Sequence, residues 1–576
     1  MFNNIFNKAI NKVLDVITTQ PAKTNEQQAQ AQVGKKKVYG SEWNLHRAFN
    51  HYFSTRILKP GEQTAVDALK QYEGKLLPAK YIDKFRYAKG TNEVGFINGL
   101  DVSSGSATVM DWLTLTMHSL LVAPSGAGKT FGFITPLALS AATVPDMSCF
   151  VVDVKGDDFY DRLGVQAKMF VEKLGGRFFY FQPDDLNNPR RPSLRWNFMH
   201  EIRASSDADL VAQILVMSSS VAAGGGSSAF FVGASQNVLS GIIQCVKAVK
   251  GLKAVPFDIY NFVADEDFRK DMIASLPTKV SPTDKNIIMQ NLKELIKPSG
   301  KFSLDPTLLI ILKFLESEHI RDATSASDFT LADIHTKKGF LILGKPKKNL
   351  DPAASNVIIS IMSMLLVRQL SQREDSATPQ LLLILDEFVQ IPGFSKDPDP
   401  ADPSKRPGIS IVLETLRSKN VCAILATQDI DQITAASDKV KSAILGNTLS
   451  KFIMSGVSPA TAETFQEIFS DFRRTYVSQT LSNTESKGTS FSLSNMTPSL
   501  SNTGGISAGT SRQEKLEMLF DLSDLQQIPD RTLLSFHGKE SFYRPFLVST
   551  AQRKFEVSDA QAIVQMVNKM SNKTGK

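Results

Sequence analysis

Six short apolar runs constrain this chain more than any other feature. They are HSLLVAP from His118, CFVVDVKG from Cys149, RFFYFQP from Arg177, GFLILGKP from Gly339, LLLILDEF from Leu381 and VCAILATQ from Val421. A strand covered on one face alternates apolar and polar residues. Near-continuous apolar runs of this length are expected of strands buried on both faces. Helical stretches separate them. The chain is therefore predicted to be α/β, with a parallel, doubly wound sheet between layers of helices.

Between about Ser205 and Lys338 the strand runs stop. Helical patterns such as ADLVAQILVM, NIIMQNLKELI and TLLIILKFLESE take over, broken locally by GGGSS at Gly224–Ser228. Residues 206–338 are predicted to be an all-α insertion that divides the α/β part into 41–205 and 339–576. Residues 478–512 are rich in Ser, Thr, Asn and Gly and read as a low-complexity loop or ribbon. The segment from Ala551 has a helical pattern and ends in a short basic tail. At the other end, Phe2, Ile5, Phe6, Ala9, Ile10, Val13, Leu14 and Ile17 form one stripe of an amphipathic helix. A polar linker follows, so 1–40 reads as a tethered helix that docks on its own domain, a partner or a lipid surface.

The chain has 576 residues, more than one compact core holds, which points to two or three domains. A net charge of +7 suits nucleic acid or an anionic membrane but decides for neither. Cys149, Cys245 and Cys422 are far apart among apolar neighbours, with no metal or disulfide spacing, and are predicted to pack in the core. No secretory signal and no membrane-spanning run are expected.

The first run leads into APSGAGKT, which fits the phosphate-binding Walker A pattern everywhere except at Ala123, where glycine is usual. Pro124, Ser125, Gly126, Ala127, Gly128, Lys129 and Thr130 then form a nucleotide loop. Its amides and the following helix N-terminus face the phosphates of ATP. Lys129, read as a surface-loop amine, reaches the β and γ phosphates, and Thr130 ligates Mg²⁺. In LLLILDEF, Asp386 is placed to hold the same Mg²⁺ and Glu387 to polarise the attacking water. In VCAILATQ, Gln428 at a strand end is placed to sense the γ-phosphate, against the alternative of a solvated turn. Arg417 in ETLRSKN is either an arginine finger for a neighbouring subunit or a surface arginine on a helix.

Taken in order, these stretches resemble the coupling-protein family of type IV secretion and conjugation. The segments carrying the resemblance are HSLLVAPSGAGKTFGFITPLAL, CFVVDVKGD ending at Asp157, FFYFQP and SLRWNFMHEI with Asn197. LDEF, the Arg417 segment, ATQDIDQI, LGNTLSKFIMSG with Asn447, and LSDLQQIPDRTLLSFHGKESFYRPF, which resembles the family's closing strands, follow. The resemblance covers about 95–550. It implies a RecA-like P-loop sheet with an inserted all-α domain that recognises cargo, assembled as a hexameric ring. It also implies recruitment of relaxase-bound single-stranded DNA or effector proteins and their delivery to type IV secretion channel components. Members usually begin with a transmembrane hairpin. This chain is expected to lack it and to sit in the cytoplasm, peripheral to the inner membrane, with residues 2–17 bound to a membrane-embedded partner or to lipid. Two other functions fit the same motifs: a soluble hexameric DNA translocase or other secretion ATPase of the superfamily, and a non-catalytic substrate adaptor.

Overall fold

The computed structural model describes residues 40–58, 95–102, 105–154, 159–219, 228–276, 279–296, 305–347, 350, 352–391, 394, 409–436, 438–469, 471–491, 498–537 and 546–574. The amphipathic segment 2–17 and Asp157 lie outside them. The described strands are β1 (Phe96–Asp101), β2 (Ala107–Met110), β3 (Ser119–Val122), β4 (Met147–Asp153), β5 (Arg177–Phe181), β6 (Gly339–Gly344), β7 (Gln380–Leu385), β8 (Val421–Thr427), β9 (Ser450–Met454), β10 (Asp471–Phe491), β11 (Pro498–Met518), β12 (Thr532–His537) and β13 (Phe546–Ser549). Each of the six apolar runs contributes a strand, β3 to β8.

Eleven strands form one sheet in the order β2-β1-β13-β12-β9-β3-β8-β7-β4-β6-β5. The stretch from β9 to β5 is parallel throughout. β12, β13, β1 and β2 extend it as an antiparallel flank. The parallel strands are buried on both sides, as their composition requires. Leu381, Leu383 and Leu385 of β7 join one apolar cluster, and Leu382 and Ile384 join the other. Val421, Ala423 and Leu425 of β8 divide from Cys422, Ile424 and Ala426 in the same way. All three cysteines are buried and free.

One face is covered by the helices Asn44–Tyr52, Thr135–Ala142, Val165–Lys173 and Val557–Thr574. The two ends of the described chain meet there, where the Tyr52 hydroxyl donates to Asp559 Oδ1 at 2.8 Å. The other face carries Ser205–Met217, Pro352–Ser371 and the helices beyond.

Between β5 and β6 the described residues form helices and no strand. Their ends are set locally. The Asp265 side chain caps Glu266–Ser275 by accepting from the amides of Asp267 and Phe268, and Ser281 caps Pro282–Asn291 through Asp284 N. Pro256 and Pro282 stand where a helix start tolerates proline. The apolar core of these helices is continuous with that of the sheet face. Helix Ser205–Met217 is further tied to Pro352–Ser371 by the Arg368–Asp207 ion pair at 2.6 Å. Asn197, at the entrance, is buried, and its amide donates to Ala254 O at 2.8 Å.

β10 and β11 pair antiparallel over 21 residues each, as a separate two-stranded ribbon. Of the loop and the ribbon open for 478–512, the backbone takes the ribbon, which begins at Asp471 and closes at Met518.

Candidate nucleotide site

In a parallel sheet, ligands bind beyond the carboxyl ends of the strands, where loops and helix N-termini converge. β3, β8 and β7 are adjacent, and their register brings three distant segments to one edge. Val122 lies opposite Thr427, and Leu385 opposite Leu425. Ala123 N donates to Thr427 O at 3.1 Å, so Gln428 emerges beside the loop after β3. Asp386 N donates to Val152 O at 3.3 Å, which holds the Asp386–Glu387 pair at the same edge.

The loop turns through Gly126 (φ 90°) and Gly128 (φ 93°). A Cβ at Gly126 would meet nothing within 4 Å, and one at Gly128 would meet Met454 Cε at 3.9 Å. Backbone conformation rather than crowding demands glycine here, and the space above the loop amides is open. The helix that follows is widely wound over Lys129–Ile134 and regular over Thr135–Ala142. Its wide part ends just before Pro136, whose ring conflicts with a regular α turn against the carbonyl four residues back.

Lys129 corrects the expectation of a surface amine: it is 4% exposed. Its Nζ lies 2.6 Å from Glu387 Oε1 and 2.8 Å from Asp386 Oδ1. The Glu387 contact is an aligned hydrogen bond, whereas Asp386 Oδ1 lies off the hydrogen-bonding direction and is held by charge alone. Thr130 Oγ1 donates to Asp386 Oδ2 at 3.4 Å, and Gln428 Nε2 donates to Glu387 Oε1 at 3.0 Å. Five of the residues singled out from sequence thus converge in one cluster, with Lys129, Asp386 and Glu387 buried and Thr130 and Gln428 half-buried.

Glu387 is held at φ 54°, ψ 43°, a left-handed conformation that costs a non-glycine residue about 1–3 kcal/mol and recurs at functional sites. Its second carboxyl oxygen, Oε2, is buried without a hydrogen-bond partner. Two carboxylates against one ammonium leave a net negative charge out of water. That donor set fits a divalent cation, with Thr130 and Asp386 as its ligands, and a water polarised at Glu387.

Arg417 is not part of this cluster. It is exposed and precedes the amino end of β8, roughly 20 Å along that strand from Gln428. It lines a cavity of about 420 Å³ with Trp112, Thr116, Glu414, Ser418 and Asn420. His118, which opens the first run, is buried with φ 56°. Ala423 N donates to its Nδ1 at 3.0 Å, so Nε2 carries the proton and donates to Leu413 O at 3.0 Å. Burial lowers its pKa to about 4, which keeps the ring neutral and fixes β3 against β8. Asn447 ends the helix Asp438–Asn447, where its amide donates to Ala443 O at 2.9 Å.

Sequence reasoning left out the β9 side of the loop. Met454 approaches Gly128, and Thr550 packs so closely on Gly132 that a Cβ there would lie 2.6 Å from its Oγ1. Neither position carries a signal in the sequence, because both contacts arise from strands far apart in the chain.

A profile of the family described as "Type IV secretory system Conjugative DNA transfer" matches residues 76–502, well over half of the chain. The chain belongs to the type IV secretory system conjugative DNA-transfer family. Among related proteins, Protein VirD4 of Rhizobium radiobacter is 24% identical over 455 residues, covering 76% of this chain and 58% of that protein. Protein VirD4 of Agrobacterium fabrum is 24% identical over 286 residues, 48% of this chain and 39% of that protein. The chain therefore spans about 40–60% of the length of these curated relatives. Among solved structures, the bacterial conjugative coupling protein TrwBΔN70 in its unbound monoclinic form aligns with TM-score 0.54 at 14% identity, over 83% of this chain and 93% of that one. The plasmid coupling protein TrwB in complex with ADP and Mg²⁺ aligns with TM-score 0.53 at 13% identity, over 84% and 94%. At such identities the likeness is one of fold: a RecA-like sheet with an inserted all-α domain, as expected for a conjugative DNA-transfer protein. Among the described residues, no helix is long and apolar enough to cross a membrane.

Proposed function

We propose that this chain is the ATP-driven coupling protein of a type IV secretion system. On this reading it recruits relaxase-bound single-stranded DNA or effector proteins and delivers them to the channel. The observation that carries the reading is the meeting of Lys129, Thr130, Asp386, Glu387 and Gln428 at one sheet edge, in a chain of this family. Pro124–Thr130 bind the phosphates of ATP. Entry of the phosphates draws Lys129 off the two carboxylates and frees them for their own tasks. Mg²⁺, when held by Thr130 and Asp386, neutralises phosphate charge. Glu387 accepts the proton of the attacking water through the oxygen that lacks a partner, and Gln428, bonded to Glu387, orients that water. The helices within 206–338 select cargo, and 2–17 keep the protein at the cytoplasmic face of the inner membrane through a membrane-embedded partner or lipid.

A trap variant tests the whole reading. Glu387→Gln protein, isolated from its native cell with ATP, should retain a DNA-bound relaxase or an effector that Lys129→Ala protein does not. Equal recovery from both variants would separate cargo binding from the nucleotide site and sink the coupling.

The position of Arg417 bears on assembly. At the opposite end of β8 from Gln428 it is too far to serve its own site, but it is exposed for service to a neighbour's in a ring of six. Arg417→Ala and Lys129→Ala proteins should each be inactive alone. Mixed, they should regain part of the wild-type turnover, because a ring then holds intact Lys129 sites facing intact Arg417. No recovery at concentrations where mixed rings form removes the trans role.

A further inference from the structure

We propose that Arg531, which precedes β12, binds the α-phosphate of the nucleotide; this rests on the reading of the β3 loop as an ATP site. The sheet order fixes the direction. Lys129, Asp386, Glu387 and Gln428 follow β3, β7 and β8, so the γ-phosphate end lies on that side of the loop. The other end of a nucleotide laid along the carboxyl edge must then pass over β9 and β12, which follow β3 on its far side. β12 is two strand positions from β3, roughly 10 Å.

Arg531 is tied to that edge through its backbone and its neighbours. Its φ is 57°, in the left-handed region. The carbonyl of Arg531 accepts both the backbone N–H and the hydroxyl of Thr550, at 2.9 and 2.8 Å. Thr550 in turn rests against Gly132 in the first turns of the loop's helix, so close that no Cβ fits between them. On the other side, Asp530 accepts from Ser455 Oγ at 3.2 Å, and Gly456, with φ 77°, would place a Cβ 3.5 Å from Pro124 Cγ. The backbone carrying Arg531 is thereby braced against both the loop and the helix that hold the phosphates. Its side chain is exposed and, among the described residues, enters no ion pair. A guanidinium is permanently charged and presents its donors in a fork that suits phosphate oxygens. Thr532 N donates to Pro529 O at 3.1 Å, so Arg531 is the third residue of a closed turn, which accounts for its left-handed φ; the bracing of that turn against the loop and its helix is what favours a binding role.

The test is steady-state ATP turnover by the full chain, with Arg531→Asn as the neutral variant because asparagine tolerates left-handed φ. Arg531→Lys serves as the charge-retaining control. Arg531→Asn should raise KM for ATP about tenfold with kcat within about twofold of wild type, and Arg531→Lys should recover most of the loss. Inorganic tripolyphosphate, used as a competitor, should lose affinity in Arg531→Asn in parallel with ATP. An unchanged KM, or a fall in kcat alone, overturns the assignment. So does a tripolyphosphate affinity that stays at the wild-type value while KM for ATP rises, since the contact would then lie on the nucleoside. Wild-type protein that fails to bind ATP at all would defeat the nucleotide reading itself, an outcome distinct from any of these.

Discussion

Lys129→Ala should abolish ATP turnover and also lower the stability of the nucleotide-free chain by about 3–5 kcal/mol, the usual cost of removing one partner from a buried ion pair. The second effect follows from where the amine sits. Lys129 Nζ is the counter-charge to two carboxylates that are 1% and 0% exposed. Without it, two carboxylates are left buried side by side with no counter-charge. Urea midpoints of the two proteins measure this. Mg-ATP at about 100 times its Kd should add about 2.7 kcal/mol to wild type and nothing to the variant. Turnover by the variant within about tenfold of wild type, a barrier change of only ~1.4 kcal/mol, would place the active site elsewhere.

That stability effect was invisible in the sequence, and the reason is instructive. The loop was legible because its chemistry is local: an apolar run, glycines at fixed spacing, then Lys129 and Thr130 opening a helix. Asp386, Glu387 and Gln428 were legible as polar residues closing buried strands. Nothing local says that β8 lies between β3 and β7, and that order decides how the three segments meet. Lys129 and Glu387 are 258 positions apart, so the burial of the amine belongs to the topology. The antiparallel flank was not legible from period and hydrophobicity, and only the resemblance gave closing strands there. Its strands are short and their buried faces include polar groups, as where Ser450 Oγ meets His537 Nδ1 at 3.0 Å and Thr108 is fully buried. Period and hydrophobicity find strands whose runs are mostly apolar, and those were β3 to β8, even though Ser119, Ser148 and Thr427 are buried within them. The helical insertion was legible from its 3.6-residue pattern. Its continuity with the sheet's core was not, since a pattern shows that a helix has an apolar face but not what covers it.

Glu387→Gln should bind Mg-ATP with wild-type affinity to within about threefold and turn it over about 10²–10⁴ times more slowly, the range that general-base assistance supplies. The geometry supports so clean a separation. Glu387 Oε1 already accepts from both Lys129 Nζ and Gln428 Nε2, and an amide oxygen in the same place can accept both as well. The amide nitrogen then falls at the position of Oε2, which has no partner to lose. What is lost is the negative charge and with it the capacity to take a proton, while both hydrogen bonds at Oε1 are kept and the Mg²⁺ ligand Asp386 stays charged. Asp386→Asn differs in kind: Asp386 meets Lys129 by charge and Thr130 by a hydrogen bond, and its neutralisation removes half of the negative charge that would attract Mg²⁺. It should weaken nucleotide binding in the presence of Mg²⁺ by at least tenfold and leave the Mg²⁺-free affinity nearly unchanged. Calorimetric titration with ATP, with and without Mg²⁺, together with turnover, separates the two variants. If both bind alike and both turn over ATP at the wild-type rate, the assignment of metal to Asp386 and of proton to Glu387 is wrong, and the buried cluster is an ion-pair network that only braces β3 against β7.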